Sequence, residues 1–124
     1  MRINNILNIV LIILFVFSNL LKADETGYVN RISVNQGDSL KFYISTKRNP
    51  FTLTIYKYET TDRLIGTFVN IPGGERQLPD SSYLYGARWP VSFSLIVPNN
   101  WIPGAYYAAF PTSVGTKSVV FFVK

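Results

Sequence analysis

The sequence contains neither cysteine nor histidine. These absences remove Ser-His-Asp and Cys-His nucleophilic catalysis, and with them His or Cys zinc sites. They also remove disulfides, so a domain of this size must be held by its apolar core. Helical patterning is missing as well: nothing from Asp24 onward carries an apolar stripe of helical period. Charge is sparse, at 15% of residues. Beyond Glu25 the carboxylates stand singly, so no acid–base pair has a readable spacing. Gly73-Gly74 is followed by neither Lys-Ser/Thr nor a helix, and so is not a phosphate-binding loop. No calcium loop of the D-x-D-x-D-G kind occurs. The inventory predicts no cofactor, no metal and no catalytic activity belonging to this chain alone.

What is present begins with a leader. Met1-Arg2 gives a positive start, and Ile6 to Leu21 is apolar except for Asn8, Ser18 and Asn19. Leu21-Lys22-Ala23 ends in a small residue, and Asp24-Glu25 follows. This layout predicts a signal peptide over residues 1–23, cleaved after Ala23. The competing reading is an uncleaved anchor, but the apolar run is shorter than the ~20 residues that span a bilayer. With no cysteine after the run, a lipid-anchored form is excluded. The expected product is a secreted, periplasmic or cell-envelope domain over residues 24–124, with no membrane attachment after cleavage. Loss of Arg2 and Lys22 lowers the formal net charge from +5 by those two cations to +3. The remaining cations are scattered, with Lys47-Arg48 the one adjacent pair. A nucleic-acid footprint should cluster on one face, so nucleic acid is not expected as a partner.

Short alternating runs separated by turn residues predict an all-β sandwich of about seven strands. The first run is Tyr28 to Val34, closed by Asn35-Gln36-Gly37-Asp38. In the second, Ser39 to Ser45, Leu40, Phe42 and Ile44 face in while Lys41, Tyr43 and Ser45 face a solvated side. The third is Phe51 to Glu59, with Phe51, Leu53 and Ile55 inward. Continued alternation would bury Lys57, which predicts a bulge or an exit from the core there. Thr60-Thr61-Asp62-Arg63 reads as a hairpin turn before the fourth strand, Leu64 to Ile71.

The most regular stretch is Trp89 to Phe110. There Val91, Phe93, Leu95 and Val97 share one face with Trp89. Pro98 to Gly104 forms a corner, and Tyr106, Ala108 and Phe110 alternate again. Lys117 to Val123 is the seventh strand; its unbroken apolar run predicts cover on both faces. Pro72 to Arg88 is long for a connection, and makes Tyr83, Tyr85 and Arg88 a candidate binding loop. The plainer reading is a crossover between sheets.

Several of these residues resemble a known family. Gly27-Tyr28, Arg31-Ile32-Ser33-Val34 and Gly37-Asp38 resemble the opening of the β-sandwich domain of N,N-dimethylformamidase large-subunit-like proteins. Ser45-Thr46, Ile55-Tyr56-Lys57, Gly74 with Arg76-Gln77 and Pro79, and Trp89-Pro90 with Ser92 fit the same pattern. So do Val97-Pro98, Trp101, Gly104 and Tyr106. Tyr58-Glu59-Thr60-Thr61-Asp62 stands where the family has a Gly-Tyr-Tyr-Gly-Gly turn. The resemblance implies the fold and not amide hydrolysis: the family's larger catalytic domain has no counterpart here, and no catalytic residue carries over.

Gly104-Ala105-Tyr106-Tyr107-Ala108 also resembles the immunoglobulin G-x-Y-x-C step, with Ala108 in the place of Cys. Trp89, Trp101, Gly104 and Tyr106 are then structural. Tyr106 becomes a candidate corner tyrosine whose hydroxyl returns to the backbone; an ordinary core tyrosine is the alternative.

The expected function is a non-catalytic interaction module that binds protein or carbohydrate. The alternatives are a separated accessory domain of an amidohydrolase of that family, and a structural envelope component. In an immunoglobulin-like sandwich the third, sixth and seventh strands share a sheet. Alternation then puts Tyr56, Tyr58 and Tyr107 on its outer face, with small Ala105 and Ala109 beside them. This is a candidate docking face for a partner, a missing catalytic domain or a second copy. Cross-strand pairing for stability alone is the rival explanation.

Overall fold

The computed structural model describes residues 25–77 and 88–124. Its strands are β1 (Thr26–Val29), β2 (Ser33–Val34), β3 (Ser39–Ser45), β4 (Phe51–Lys57), β5 (Arg63–Ile71), β6 (Phe93–Ile96), β7 (Gly104–Thr112) and β8 (Gly115–Val123). They form a three-stranded sheet, β1-β3-β6, and a five-stranded sheet, β2-β8-β7-β4-β5. No helix occurs among the described residues. The two sheets share one core. Leu40, Phe42 and Ile44 from β3 meet Leu53 and Ile55 from β4, Tyr106, Ala108 and Phe110 from β7, and Val119, Phe121 and Val123 from β8. Phe42 and Phe121 touch across the layers, edge to face, with centroids 5.9 Å apart. The fold is therefore an all-β sandwich, closed by side chains of period two from both layers.

The predicted first strand divides. Its beginning pairs antiparallel with β3, and Ser33–Val34 pairs parallel with β8 in the other sheet. The switch occurs at Asn30, whose side-chain Oδ1 accepts from the Lys41 amide at 2.8 Å while its own amide donates to the Lys41 carbonyl at 3.0 Å. Local alternation does not record which sheet a residue joins.

The last strand has one covered face, not two. Val119, Phe121 and Val123 are buried, whereas Val120 and Phe122 are 38% and 44% exposed. The stretch before β6 also departs from expectation. Val91 is exposed, and Ser92 lies beside the β3 ladder, its hydroxyl accepting from the Ile44 amide at 2.9 Å. Regular pairing starts at Phe93. Phe93 and Leu95 are half-buried at the core's margin, so this strand is not the centre of the core.

Trp89 is buried elsewhere. It packs on Tyr28 at 5.4 Å, and Tyr28 stacks on Tyr43 at 4.7 Å. Its indole N–H donates to the Gln77 carbonyl at 3.1 Å. Tyr43 faces away from the core beside Tyr28, and Ser45 is buried, so that side of β3 is not the solvated face expected.

The β4–β5 ladder shifts register twice. Phe51 pairs with Ile71 but Leu53 with Phe68; Ile55 pairs with Gly66 but Tyr56 with Leu64. In both places the additional residue belongs to β5, at Ile65 and around Val69-Asn70. Asn70 takes a left-handed φ of 57°, a conformation Asn tolerates better than most residues. The second shift falls next to Lys57, where a bulge or exit was expected.

Candidate functional site

The corner after β6 builds one side of the sheet that carries the candidate face. Trp101 stacks on Tyr106 at 5.3 Å, and Tyr106 stacks on Phe121 at 5.5 Å. The Tyr106 hydroxyl donates to the Ile102 carbonyl at 2.6 Å, the return to backbone that a corner tyrosine makes. Burial raises its pKa above the usual phenol value. Gly104 has a φ of 150°, and a side chain there would press on the end of Lys57. These contacts fix the start of β7 and hence the facing of Tyr107.

On the outer side of that sheet the ladder lines residues up in rows. Leu64 is opposite Tyr56, Tyr56 opposite Tyr107, and Tyr107 opposite Val120. One row along, the Tyr58 amide donates to the Ala105 carbonyl at 3.0 Å, and Ala105 is opposite Phe122. The rings of Tyr56 and Tyr107 stack at 5.1 Å and 19°, and Tyr58 leans on Tyr107 at 4.6 Å. The face is open to solvent: Tyr58 is 45% and Leu64 58% exposed, alongside Val120 and Phe122. Ala109 leaves a shallow groove of about 310 Å³ beside Tyr56, walled by Thr52, Thr54 and Pro111. Leu64 was not anticipated, because the bulge at Ile65 sets its facing and alternation cannot register a bulge.

One charged group braces the tyrosines. Asp62 accepts from the Tyr107 hydroxyl at 3.0 Å through Oδ2 and from the Glu59 amide at 3.3 Å through Oδ1. Partial burial, then the Asp62 hydrogen bond and its negative charge, raise the Tyr107 pKa. Glu59 and Arg63 form an ion pair at 3.0 Å across the same turn. The face therefore presents tyrosine rings and apolar side chains, with the Asp62 carboxylate and the Glu59–Arg63 pair at its rim.

Arg88, with a left-handed φ of 57°, is exposed beside Trp89. Tyr83 and Tyr85 lie outside the described residues. Among the described residues no group of acidic side chains is gathered in a way that would hold a metal ion.

A second polar centre was not foreseen. Glu25 is 8% exposed at the edge of β1. Its carboxylate accepts from the Ser113 amide at 3.0 Å, the Ser113 hydroxyl, the Lys47 amide at 2.9 Å and Thr46 Oγ1 at 3.2 Å. Its own carbonyl accepts from Lys117 Nζ at 2.5 Å. Burial works against the charge, but the hydrogen bonds from Ser113, Lys47 and Thr46 outweigh it and hold the pKa at about 2. In sequence Glu25 reads as a leader flank; its donors lie far along the chain, so no spacing betrays the knot.

No protein-family profile matches the chain, and no curated protein matches it. Among solved structures it is similar to an uncharacterized protein from Bacillus anthracis strain Ames, at 15% identity and a TM-score of 0.49. The likeness covers 77% of this chain and 82% of that one.

Proposed function

We propose that the chain is an exported, non-catalytic interaction module on an immunoglobulin-like sandwich, and that it docks a protein through the outer face of the five-stranded sheet. The observation that carries this reading is the set of rows Leu64-Tyr56-Tyr107-Val120 and Tyr58-Ala105-Phe122 on one side of one sheet, with Leu64, Tyr58, Val120 and Phe122 exposed and Tyr56, Tyr107 and Ala105 half-buried between them. An outer sheet face with no partner is ordinarily polar, and contiguous apolar area of this kind marks a contact surface. Tyrosine is favoured there because it supplies large contact area and a polar tip.

Three further observations support the reading. Strand order agrees with the immunoglobulin pattern, in which β1, β3 and β6 oppose β4, β7 and β8 and the first strand is shared between sheets. Tyr106 makes the corner bond expected of that fold. The β5 edge carries two bulges, a device that discourages pairing with another strand, so the face and not the edge is the surface offered. Protein is favoured over carbohydrate by ring geometry. Tyr56 and Tyr107 turn ring faces to each other, and the Tyr107 hydroxyl is held by Asp62, whereas a sugar platform needs a free ring face.

The test uses Tyr58→Ser with Phe122→Ser in the full chain, since both residues are exposed and neither belongs to the core. The expected result is loss of partner capture from the native envelope fraction, or of self-association by sedimentation, with a melting temperature within a few degrees of wild type. Unchanged capture and unchanged mass would overturn the reading.

A further inference from the structure

The adjacent basic pair Lys47-Arg48 plays no part in the tyrosine face. It lies at the opposite end of the sandwich from the Thr60-Thr61-Asp62-Arg63 turn, in the β3–β4 connection. Three contacts gather further cations there. Glu25 accepts from the Lys47 backbone amide with its carboxylate and from Lys117 Nζ with its carbonyl, which brings the β3–β4 turn and the start of β8 to the same residue. The Arg76 amide donates to Ser45 Oγ at 2.8 Å, just before this turn. Gly73 closes on the Arg48 carbonyl, where even a methyl group would overlap, and its amide donates to Asn49 Oδ1 at 3.0 Å. Lys47, Arg48, Arg76 and Lys117 are thus fastened to one end. Glu75 is the exposed carboxylate among them, because the Glu25 carboxylate is buried under its donors. Arg76 is half-buried at this end, with its Nε buried and without a hydrogen-bond partner among the described residues.

The chain enters the fold at this same end. Glu25 ties the entry to Ser113, Thr46 and Lys47. The apolar run that ends at Leu21 is four residues away, at most ~14 Å of extended chain. The chain therefore enters the fold at the end that carries these cations.

We propose that this end rests on an anionic lipid surface, with Lys47, Arg48, Arg76 and Lys117 facing the headgroups. The inference rests on the reading of residues 1–23 as membrane-directed, and departs from the expectation of no membrane attachment after cleavage. With the strands rising from the bilayer, the tyrosine face is presented sideways to a partner.

The test is binding of the full chain to vesicles of phosphatidylcholine alone and of phosphatidylcholine with phosphatidylglycerol, at low and at physiological salt. The apolar leader engages both, so the ratio between them isolates the cationic end. Each basic residue near an anionic bilayer contributes about fivefold, so Lys47→Ser with Arg48→Ser should reduce the preference for anionic vesicles about 25-fold. Lys41→Ser with Lys124→Ser, which removes equal charge elsewhere, should leave it nearly unchanged, as should Tyr58→Ser with Phe122→Ser. The preference should also fall as salt rises. Equal binding to both vesicles, or equal losses from the two lysine-containing pairs, would overturn the proposal. Displacement by millimolar inorganic phosphate would overturn it in favour of a discrete phosphate site.

Discussion

Glu25 makes the clearest commitment of any single residue. Its pKa in the fold is about 2, against an ordinary value of 4.5. A depressed carboxylate stabilises the folded state above its unfolded pKa and loses that contribution as pH falls through the folded value. Wild type should therefore exceed Glu25→Gln in melting temperature at pH 6, and the gap should close between about pH 4.5 and pH 2. A gap that stays constant over that window would mean the carboxylate is not the group responsible. Tyr106 offers a second test. Tyr106→Phe removes the bond to the Ile102 carbonyl but keeps the ring between Trp101 and Phe121. Chemical denaturation should show a loss of about 1 kcal/mol, the net worth of one such bond. Tyr106 was legible in the sequence, since the corner pattern and its tyrosine are contiguous. Glu25 was not, because what gives it meaning is three-dimensional: Ser113 is brought to it by the β7–β8 hairpin.

Among the elements, β4 and the inward side of β3 follow their alternation closely, and β7 and β8 lie close to where turn residues predict, with β8 starting two residues ahead of Lys117. The failures share a cause. Alternation tells inside from outside only while a strand stays regular and in one sheet. The first strand changes sheets at Asn30, and β5 gains residues at Ile65 and Val69-Asn70. The stretch Trp89 to Ser92 is not yet in its ladder. This reorders the core. Phe121 is buried and contacts Phe42, Trp101 and Tyr106, whereas Phe93 is half-buried and touches Phe42 and Phe68. Phe121→Ala should cost about 3–5 kcal/mol in urea melts, and Phe93→Ala about half of that or less. Equal costs would contradict the placement of Phe93 at the margin. The β5 bulge can be tested through its backbone. Asn70→Gly should be tolerated, while Asn70→Val forces a branched side chain into left-handed backbone and should cost about 1–2 kcal/mol.

At the scale of the whole molecule, the two sheets have different outer faces for different reasons. The small sheet spends its outer aromatics internally, with Tyr28, Tyr43 and Trp89 packed together. The large sheet keeps Tyr58, Leu64, Val120 and Phe122 open to solvent. The tyrosines of that face were readable from parity on two separate strands, but their gathering depended on the β4–β7 register, and Leu64 joined them only through the bulge. If cross-strand pairing were the sole purpose of these residues, the face would be as exposed in its native setting as in the purified protein. A photocrosslinking residue in place of Tyr58, and separately in place of Lys41 on the other sheet, distinguishes the two. In the protein's native setting the account predicts a discrete adduct from position 58 and none from position 41. Absence of an adduct at 58, or matching adducts from both positions, would contradict it.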